Sequence, residues 1–337
     1  MGRLKKFAAG LAAGAAGVAW LQAAKRRNAA LERPPVGDAS GEPLPSGLLR
    51  YGDGEEVEYI DAGEGRALVW VPGADGPKET FRYQLPHFAR SWRVVSADLR
   101  RSFAPTDGFD RFVEDLLELL AALDIDRCVL IGQSLGSAIT IRFASLFPER
   151  LDGIVLANPL ARVSYEHLGL NRTALIPVAI GSTRYLPTPL GRDLARLWSR
   201  LGLWVYDDSP GREALIEYAL NTGPRTTPAS VSRKRVKRLE AEDLMPELPA
   251  IRVPALVVKG PHDVYCPVSW ALQIADALPR SRYVPIPGTG HCSHISRPGA
   301  FNRAIEDWLE ELARDEAAEI VEPASRAADA TPDGEDA

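Results

Sequence analysis

Short aliphatic and β-branched runs alternate with helix-like segments along much of this sequence of 337 residues, and this alternation constrains the fold more than any other feature. Parallel strands are joined by helical crossovers and are buried on both faces, so their sequences are continuously apolar. The pattern therefore predicts an α/β fold with a mostly parallel, twisted sheet flanked by helices. The predicted strands lie at 67–71, 93–97, 128–131, 154–157, 255–258 and 283–286, after initial strands near 48–61.

Two segments outside these runs have the period of an amphipathic helix. The first precedes the run at 128–131, and the second lies near the end of the sequence. Each places its large apolar side chains on one face, as expected of helices that cover a sheet. The residues of these two faces are Phe112, Val113, Leu116, Leu117, Leu120 and Leu123, and Phe301, Ile305, Trp308, Leu309 and Leu312.

Between residues 160 and 249 the regular succession of strands stops, and proline-punctuated, helix-like segments with scattered aromatic residues take its place. This stretch leaves the predicted core after one strand and returns before the next, which indicates a helical lid inserted into a single domain. The acidic C-terminal stretch, rich in alanine, proline and aspartate, predicts a disordered tail. We expect an N-terminal arm with the start of a linker at 1–35, core at 36–160, the lid at 161–247, core again at 248–314 and the tail at 315–337.

Residues 7–24 carry no charge and are flanked on both sides by clusters of lysine and arginine. As a helix rising ~1.5 Å per residue, this stretch would span roughly 27 Å, slightly less than the ~30 Å hydrocarbon core of a bilayer. Its many alanines and glycines weaken its preference for lipid. The pattern favours an uncleaved N-terminal membrane anchor, with a soluble arm on a cytoplasmic protein and a cleaved signal peptide as alternatives.

Gly132-Gln133-Ser134-Leu135-Gly136 matches the pattern G-x-S-x-G and lies between a predicted strand and a helix-like segment. In this context a serine occupies a strained strand-to-helix turn that exposes its hydroxyl above the sheet. Small residues on either side, here Gly132 and Gly136, let the backbone turn without steric clashes. The pentapeptide therefore predicts a nucleophile elbow with Ser134 as the nucleophile.

A serine hydroxyl is a weak nucleophile at neutral pH and needs a base, which an acid must orient. Asp263 follows the predicted strand at 255–258, and His291 follows the predicted strand at 283–286. The carboxyl ends of parallel strands lie at one edge of a sheet, where α/β proteins gather their active sites. We therefore predict a catalytic triad of Ser134, Asp263 and His291, in a chain order that differs from the other common triads.

Other residues of the right chemical type lie near these positions. His294 lies one helical turn after His291, and His262 directly precedes the predicted acid. Asp98 and Asp152 are alternative carboxylates near strand ends. We expect these two histidines to have supporting or surface roles, and we expect Asp98 to be structural.

Four motifs together resemble the α/β-hydrolase fold family, which includes serine esterases, lipases and C–C hydrolases. The resemblance covers residues 48–308 apart from the lid, and it implies the α/β-hydrolase fold with a working triad. It also implies that the backbone N–H groups of Leu135 and Ala74 form the oxyanion hole. The sequence departs from the family in having proline in place of the usual histidine before Gly73. The motifs are the Pro72-Gly73 turn, the serine elbow, the acid loop Gly260 to Asp263, and Gly290-His291 followed by Arg297-Pro298 and Phe301.

The predicted function is cleavage of an ester, thioester or related acyl bond through an acyl-serine intermediate. A cofactor-free C–C hydrolase, lyase or acyltransferase on the same fold is the first alternative, and a non-catalytic binding protein is the second. We expect a small, apolar acyl substrate. Large side chains with polar tips suit such a pocket and its wet rim, so the predicted substrate residues of the lid are Trp198, Trp204 and Tyr206.

The overall charge and the histidine content bear on other partners. The formal net charge is −5, whereas a nucleic-acid-binding protein is expected to have a strongly basic face. The five histidines do not cluster with carboxylates at the spacing of metal ligands. We therefore expect no nucleic acid, no metal and no cofactor, and membrane association through residues 7–24 is the remaining interaction that the sequence suggests.

Overall fold

A sheet of eight strands runs through the described part of the chain, which comprises residues 2–201 and 211–328 of this computed structural model. The strands are β1 Ser46–Arg50, β2 Glu56–Ala62, β3 Ala67–Val71, β4 Arg93–Ala97, β5 Cys128–Gln133, β6 Leu151–Ala157, β7 Ala255–Lys259 and β8 Ser281–Pro285. Their order across the sheet is β1-β2-β4-β3-β5-β6-β7-β8. Strand β2 is antiparallel to β1 and β4, and all other neighbours are parallel.

Helices connect these strands and form the insertion. The α-helices are α1 Gly2–Ala29, α2 Leu85–Phe88, α3 Arg111–Ala122, α4 Leu135–Leu146, α5 Gly169–Tyr185, α6 Thr188–Arg200, α7 Gly211–Asn221, α8 Gly223–Thr226, α9 Ala229–Leu239, α10 Val268–Ala277, α11 Ser293–Ser296 and α12 Pro298–Ala328. Short 3₁₀-helices cover Lys78–Phe81, Pro148–Arg150, Glu166–Leu168 and Met245–Ala250.

Successive residues of the central strands point into two hydrophobic clusters, one on each face of the sheet. On β3, Val69 and Val71 join residues of α3, α4 and α10, whereas Leu68 and Trp70 join residues of α12. Because helices cover both faces, every residue of β3, β5 and β7 is buried. The predicted α/β fold, with a mostly parallel sheet flanked by helices, is confirmed.

The predicted strands agree closely with the observed ones. The runs at 67–71 and 93–97 coincide with β3 and β4, and the other predicted ends lie within three residues of the observed ends. The agreement is good because a strand buried on both faces is apolar along its whole length, so its limits are visible as changes in composition.

Helices α5 to α9 form the predicted helical insertion between β6 and β7, and α5, α6 and α7 pack around a small hydrophobic cluster of their own. This cluster includes Ala179, Ala195, Leu215 and Ile216 from the insertion and Ile295 from α11. Ile295 lies four residues after His291, so the insertion rests on the segment that carries the predicted base. We call the insertion, residues 161–247, the lid.

The N-terminal helix α1 ends against the lid. The Asn28 side chain donates a hydrogen bond to the backbone carbonyl of Arg184 at 2.7 Å, and Arg27 donates one to the carbonyl of Tyr185 at 2.7 Å. These contacts bury Ala24 and Asn28. Within the described residues, no helix combines the length and apolar character needed to cross a membrane.

The C-terminal segment differs from the prediction. Helix α12 continues to Ala328, past the predicted start of the tail at residue 315. The segment is rich in alanine, glutamate and arginine, which favour helices, and Glu316 forms an ion pair with Arg66 at 2.8 Å. Residues 329–337 lie outside the described residues.

Candidate active site

Ser134 occupies the sharp turn between β5 and α4. Its backbone angles, φ 54° and ψ −121°, lie in a region that residues with a Cβ rarely adopt. A Cβ on Gly132 would lie 2.2 Å from the carbonyl oxygen of Gly136, and a Cβ on Gly136 would lie 2.1 Å from that of Val71. Only glycine fits at both flanking positions, and the turn they permit presents Ser134 at the carboxyl edge of the sheet.

Two backbone segments lie close to Ser134, and they carry the predicted oxyanion donors Leu135 and Ala74. Leu135 is the first residue of α4, so its N–H has no partner within the helix and lies at the positive end of the helix dipole. Ala74 belongs to the loop after β3 and lines the same cavity as Ser134. The loop passes close to the nucleophile, because a Cβ on Gly73 would lie 3.2 Å from the Cβ of Ser134.

Asp263 and His291 meet at the same edge of the sheet, in the loops after β7 and β8. The Oδ2 of Asp263 lies 2.9 Å from the Nδ1 of His291. The Oδ1 of Asp263 accepts hydrogen bonds from the backbone N–H groups of Tyr265 at 2.9 Å and Cys266 at 3.1 Å. The Gln133 side chain donates a hydrogen bond to the carbonyl of His291 at 3.2 Å. The elbow and the histidine loop are therefore joined directly.

Asn158, at the end of β6, joins the acid loop to the histidine loop. Its Oδ1 accepts a hydrogen bond from the N–H of Gly260 at 3.0 Å, and its Nδ2 donates one to the carbonyl of Gly290 at 2.7 Å. The two loops are so close that a Cβ on Gly260 would lie 2.0 Å from that carbonyl oxygen. Nothing in the sequence indicated this bracing role of Asn158.

The environment of Asp263 and His291 favours the charged form of both. Burial raises the pKa of Asp263, but the attraction of His291 and Lys259 lowers it by more and holds it well below its usual range. Burial lowers the pKa of His291, but the adjacent Asp263 carboxylate outweighs this effect and raises the pKa above the usual histidine value. An imidazolium formed during a reaction would therefore be stabilised.

The alternative acids and bases lie in other surroundings. His294 is buried against Thr80, 3.2 Å from its hydroxyl, and burial lowers its pKa to about 3. Asp98 pairs with Arg33 at 2.7 Å and so holds the N-terminal linker. Asp152 is the second residue of β6, at the opposite edge of the sheet from Ser134. His262 is exposed next to the acid.

Three possible metal ligands also meet here. Donor atoms of Asp263, Cys266 and His291 lie within 4.8 Å of one another. However, the Nζ of Lys259 lies 2.5 Å from the Oδ2 of Asp263, and the Nδ1 of His291 is paired with the same oxygen. A cation already occupies the carboxylate, so these residues fit an acid–base pair beside a thiol better than a metal site.

A cavity of about 570 Å³ opens above Ser134 between the core and the lid. Apart from the catalytic residues and the loop after β3, its described lining is largely aliphatic and aromatic. Such a lining suits an apolar ligand with one polar group to be oriented. The apolar lining residues outside that loop include Leu160, Val163, Leu168, Ile176, Pro177, Ile180, Leu215, Ala219, Pro224, Val236 and Trp270.

Of the three predicted lid aromatics, Trp198 is the one that lies within the described residues, and it does not line this cavity. Trp198 packs against the lid cluster, and its Nε1 donates a hydrogen bond to the hydroxyl of Ser182 at 2.9 Å. Trp198 therefore stabilises the lid and is not among the described lining residues, which corrects the prediction for that side chain. Trp204 and Tyr206 lie outside the described residues. Ile176 and Trp270, which sequence reasoning did not single out, line the cavity instead.

Comparison with known proteins agrees with this geometry. A model of the alpha/beta hydrolase family matches residues 68–304. The 2-hydroxy-6-oxo-6-phenylhexa-2,4-dienoate hydrolase of Burkholderia cepacia is 25% identical over 274 residues, covering 75% of this chain and 91% of that protein. Among solved structures, a thermophilic esterase from Thermogutta terrifontis has a TM-score of 0.61 at 22% identity, covering 80% of this chain and 99% of that one.

A second solved structure is similar over more of the chain. It is a membrane phospholipase A, described as a bacterial virulence factor, with a TM-score of 0.63 at 19% identity. The match covers 93% of this chain and 99% of that one. The matched family model spans β3 to α12, including the elbow and the loops that carry Asp263 and His291. The protein is therefore a hydrolase that belongs to the alpha/beta hydrolase family.

Proposed function

We propose that this hydrolase cleaves neutral esters with apolar acyl groups through an acyl-Ser134 intermediate. The observation that carries the proposal is the position of Ser134 at a strained elbow, in one cavity with His291, which is paired with a buried Asp263. This combination supplies a nucleophile, a base and an orienting acid at one point.

The reaction has two halves. In the first, the Nε2 of His291 takes the proton of the Ser134 hydroxyl while Oγ attacks the carbonyl carbon, and the N–H groups of Leu135 and Ala74 bind the oxyanion. Collapse of this intermediate breaks the bond to the alcohol, which leaves with the proton from His291. In the second half, water gives a proton to His291 and attacks the acyl group, and His291 then returns that proton to the Oγ of Ser134 as the acid is released. Asp263 stays ionised and stabilises the imidazolium in both halves.

The cavity lining favours neutral substrates over anionic ones. Among the described lining residues there is no lysine or arginine, and Asp75 adds a carboxylate. A dienoate such as the one named for the Burkholderia cepacia relative would bring an unpaired carboxylate into this site. Ester hydrolysis therefore fits the cavity better than C–C hydrolysis of an anionic substrate.

Labelling with a fluorophosphonate, followed by kinetics on a panel of p-nitrophenyl esters from acetate to laurate, tests the proposal. We expect labelling of Ser134 and a kcat/KM that increases with acyl length until the cavity is filled. The same preparation should act far more slowly on the dienoate. Efficient dienoate cleavage without ester turnover would identify a C–C hydrolase, and absence of both labelling and turnover would favour a binding protein.

We also propose that α1 associates with a membrane surface. Val18 and Trp20 on this helix are 57% and 45% exposed, and Lys25 and Arg26 follow them. Exposed apolar side chains beside basic ones suit the interface of an anionic membrane. A variant lacking residues 2–21 keeps the contact of Asn28 with the lid and should move from the membrane to the soluble fraction with its esterase activity intact. An intact chain found only in the soluble fraction would contradict this proposal.

A further inference from the structure

Lys259, the last residue of β7, is a fully buried lysine in contact with the acid of the triad. Its Nζ lies 2.5 Å from the Oδ2 of Asp263 and 2.5 Å from the carbonyl oxygen of Cys266. Neither the lysine side chain nor the carboxylate is exposed to solvent. A charged ammonium is rarely buried unless it is paired, so this contact has a substantial desolvation cost that a surface lysine would avoid.

The same carboxylate oxygen interacts with two positive or proton-donating groups. Oδ2 is shared by the Nζ of Lys259 and the Nδ1 of His291, while Oδ1 is held by two backbone N–H groups. All the near partners of the carboxylate therefore fix its orientation. The lysine also places a positive charge close to the imidazole, which opposes addition of a second positive charge there.

We propose that Lys259 is a positioning residue of the triad, which holds Asp263 ionised and oriented and sets the pH at which His291 becomes available as a base. This inference rests on the proposed esterase function. In a triad without such a lysine, the carboxylate acts on the imidazole alone and favours its protonated form more strongly. Here the ammonium offsets part of that effect.

Among the other titratable groups around His291, Cys266 adds to the effect of Asp263 and also raises the pKa of the imidazole. The ring of Tyr265 lies 5.2 Å from the imidazole, and burial raises the pKa of this phenol. Cys266 lies beside His291, and Cys292 follows it in the chain. His294 on α11 is buried, and its lowered pKa of about 3 keeps it neutral.

Across the cavity, Asp75 from the loop after β3 pairs with Arg184 of the lid at 2.7 Å. Tyr165 and Tyr218 of the lid also line the cavity, and burial raises the pKa of both phenols. The Lys259 ammonium is therefore the charge best placed to oppose the effect of Asp263 on His291.

The first test is the pH dependence of kcat/KM in Lys259→Met, which removes the ammonium group and keeps an unbranched side chain that is one atom shorter. Without the ammonium, His291 keeps its proton to higher pH. The acidic limb of the pH profile of kcat/KM should therefore move to higher pH by about one unit or more. Lys78→Met is a matched control, because Lys78 is also buried and paired, with Glu79 at 2.8 Å. The control should lose stability without moving the limb, and an unmoved limb in Lys259→Met would overturn the proposal.

Melting temperatures measure the coupling between Lys259 and Asp263 independently of catalysis, and they can be used even if Lys259→Met alone folds poorly. In Asp263→Asn the lysine loses its counter-ion, so the melting temperature should fall. Adding Lys259→Met to that variant should then raise the melting temperature, although the same substitution lowers it in the wild-type background. If Lys259→Met lowers the melting temperature equally in both backgrounds, the two side chains are not coupled and the inference is wrong.

Titration of the His291 ring by NMR in the Ser134→Ala background separates this inference from the proposed function. The measurement requires no turnover, and the midpoint for His291 should rise when Lys259→Met is added. If this midpoint rises but the wild-type protein does not hydrolyse esters, the role of Lys259 is retained and the esterase function is rejected. If the midpoint is unchanged and the wild-type protein hydrolyses esters, the esterase function is retained and the role of Lys259 is rejected.

Discussion

The core and the lid hold their functional residues in different ways. In the core, Ser134, Asp263 and His291 follow strands of a sheet whose central members are completely buried. In the lid, Val178 and Leu201 are more than half exposed, and the lid cluster is small. The chemistry therefore depends on the most stable part of the fold, whereas the shape of the cavity depends on a part held by fewer apolar contacts.

Several of the polar contacts between these regions reach the loop after β3. Arg184 of α5 pairs with Asp75 at 2.7 Å, and Thr227 donates a hydrogen bond to the carbonyl of Asp75 at 2.9 Å. Arg235 of α9 donates one to the carbonyl of Ala74 at 2.9 Å. The lid therefore contacts the loop that carries Ala74, the proposed oxyanion donor. Substitutions that act on one region at a time separate the contribution of the core from that of the lid.

The largest expected effect belongs to the core nucleophile. Ser134→Ala removes the attacking oxygen, so kcat for ester hydrolysis should fall by three orders of magnitude or more. Fluorophosphonate labelling should disappear, and the melting temperature should stay close to that of the wild type. Undiminished turnover in a folded variant would show that another residue is the nucleophile. His294→Ala serves as a control, because it disturbs the buried surroundings of Thr80 without removing a group of the triad.

Asp263→Asn should have the next largest effect. The amide cannot stabilise the imidazolium and favours the wrong tautomer of His291, which lowers kcat by about 10⁴ in a well-studied triad. Kinetics on a soluble ester measure the loss directly. Asp98→Asn and Asp152→Asn are matched controls, since these carboxylates pair with Arg33 and Arg127 instead. A loss below tenfold in Asp263→Asn, with a larger one in either control, would reassign the acid.

The sequence predicted the triad residues of the core far better than the residues that hold them in place. Ser134 lies in a local motif, and the loops of Asp263 and His291 follow strands whose apolar runs are obvious, so the parallel-sheet rule brings them together. The bracing by Asn158 joins residues 102 positions apart, and no local pattern indicates it. A lysine at a strand end is normally expected to extend toward solvent, so the burial of Lys259 could not be foreseen.

The lid was predictable as a helical insertion, but the directions of its side chains were not. A tryptophan there can line a cavity or pack between helices with equal plausibility, and Trp198 does the latter. Helix propensity likewise explains why α12 extends past the predicted start of the tail, since an acidic composition alone does not prevent a helix.

Arg184→Met tests whether the lid positions the oxyanion loop. Loss of the ion pair with Asp75 should let the loop shift, so kcat should fall by about 10- to 100-fold while the triad stays intact. Arg196→Met is the matched control, because its ion pair with Glu213 at 2.9 Å lies on the outer surface of the lid. We expect the control to change kcat by less than twofold. Equal effects of the two substitutions would mean that the lid contact has no special link to catalysis.

The smallest expected effects separate the residues that line the cavity from those that hold the lid together. Ile176→Ala enlarges the cavity, so it should change the ratio of kcat/KM between long and short acyl esters by about tenfold. Trp198→Ala removes a side chain packed inside the lid, so it should lower the melting temperature and reduce kcat/KM by a similar factor for all esters. A selective effect of Trp198→Ala on acyl length, with a uniform effect of Ile176→Ala, would reverse the roles assigned to these two residues.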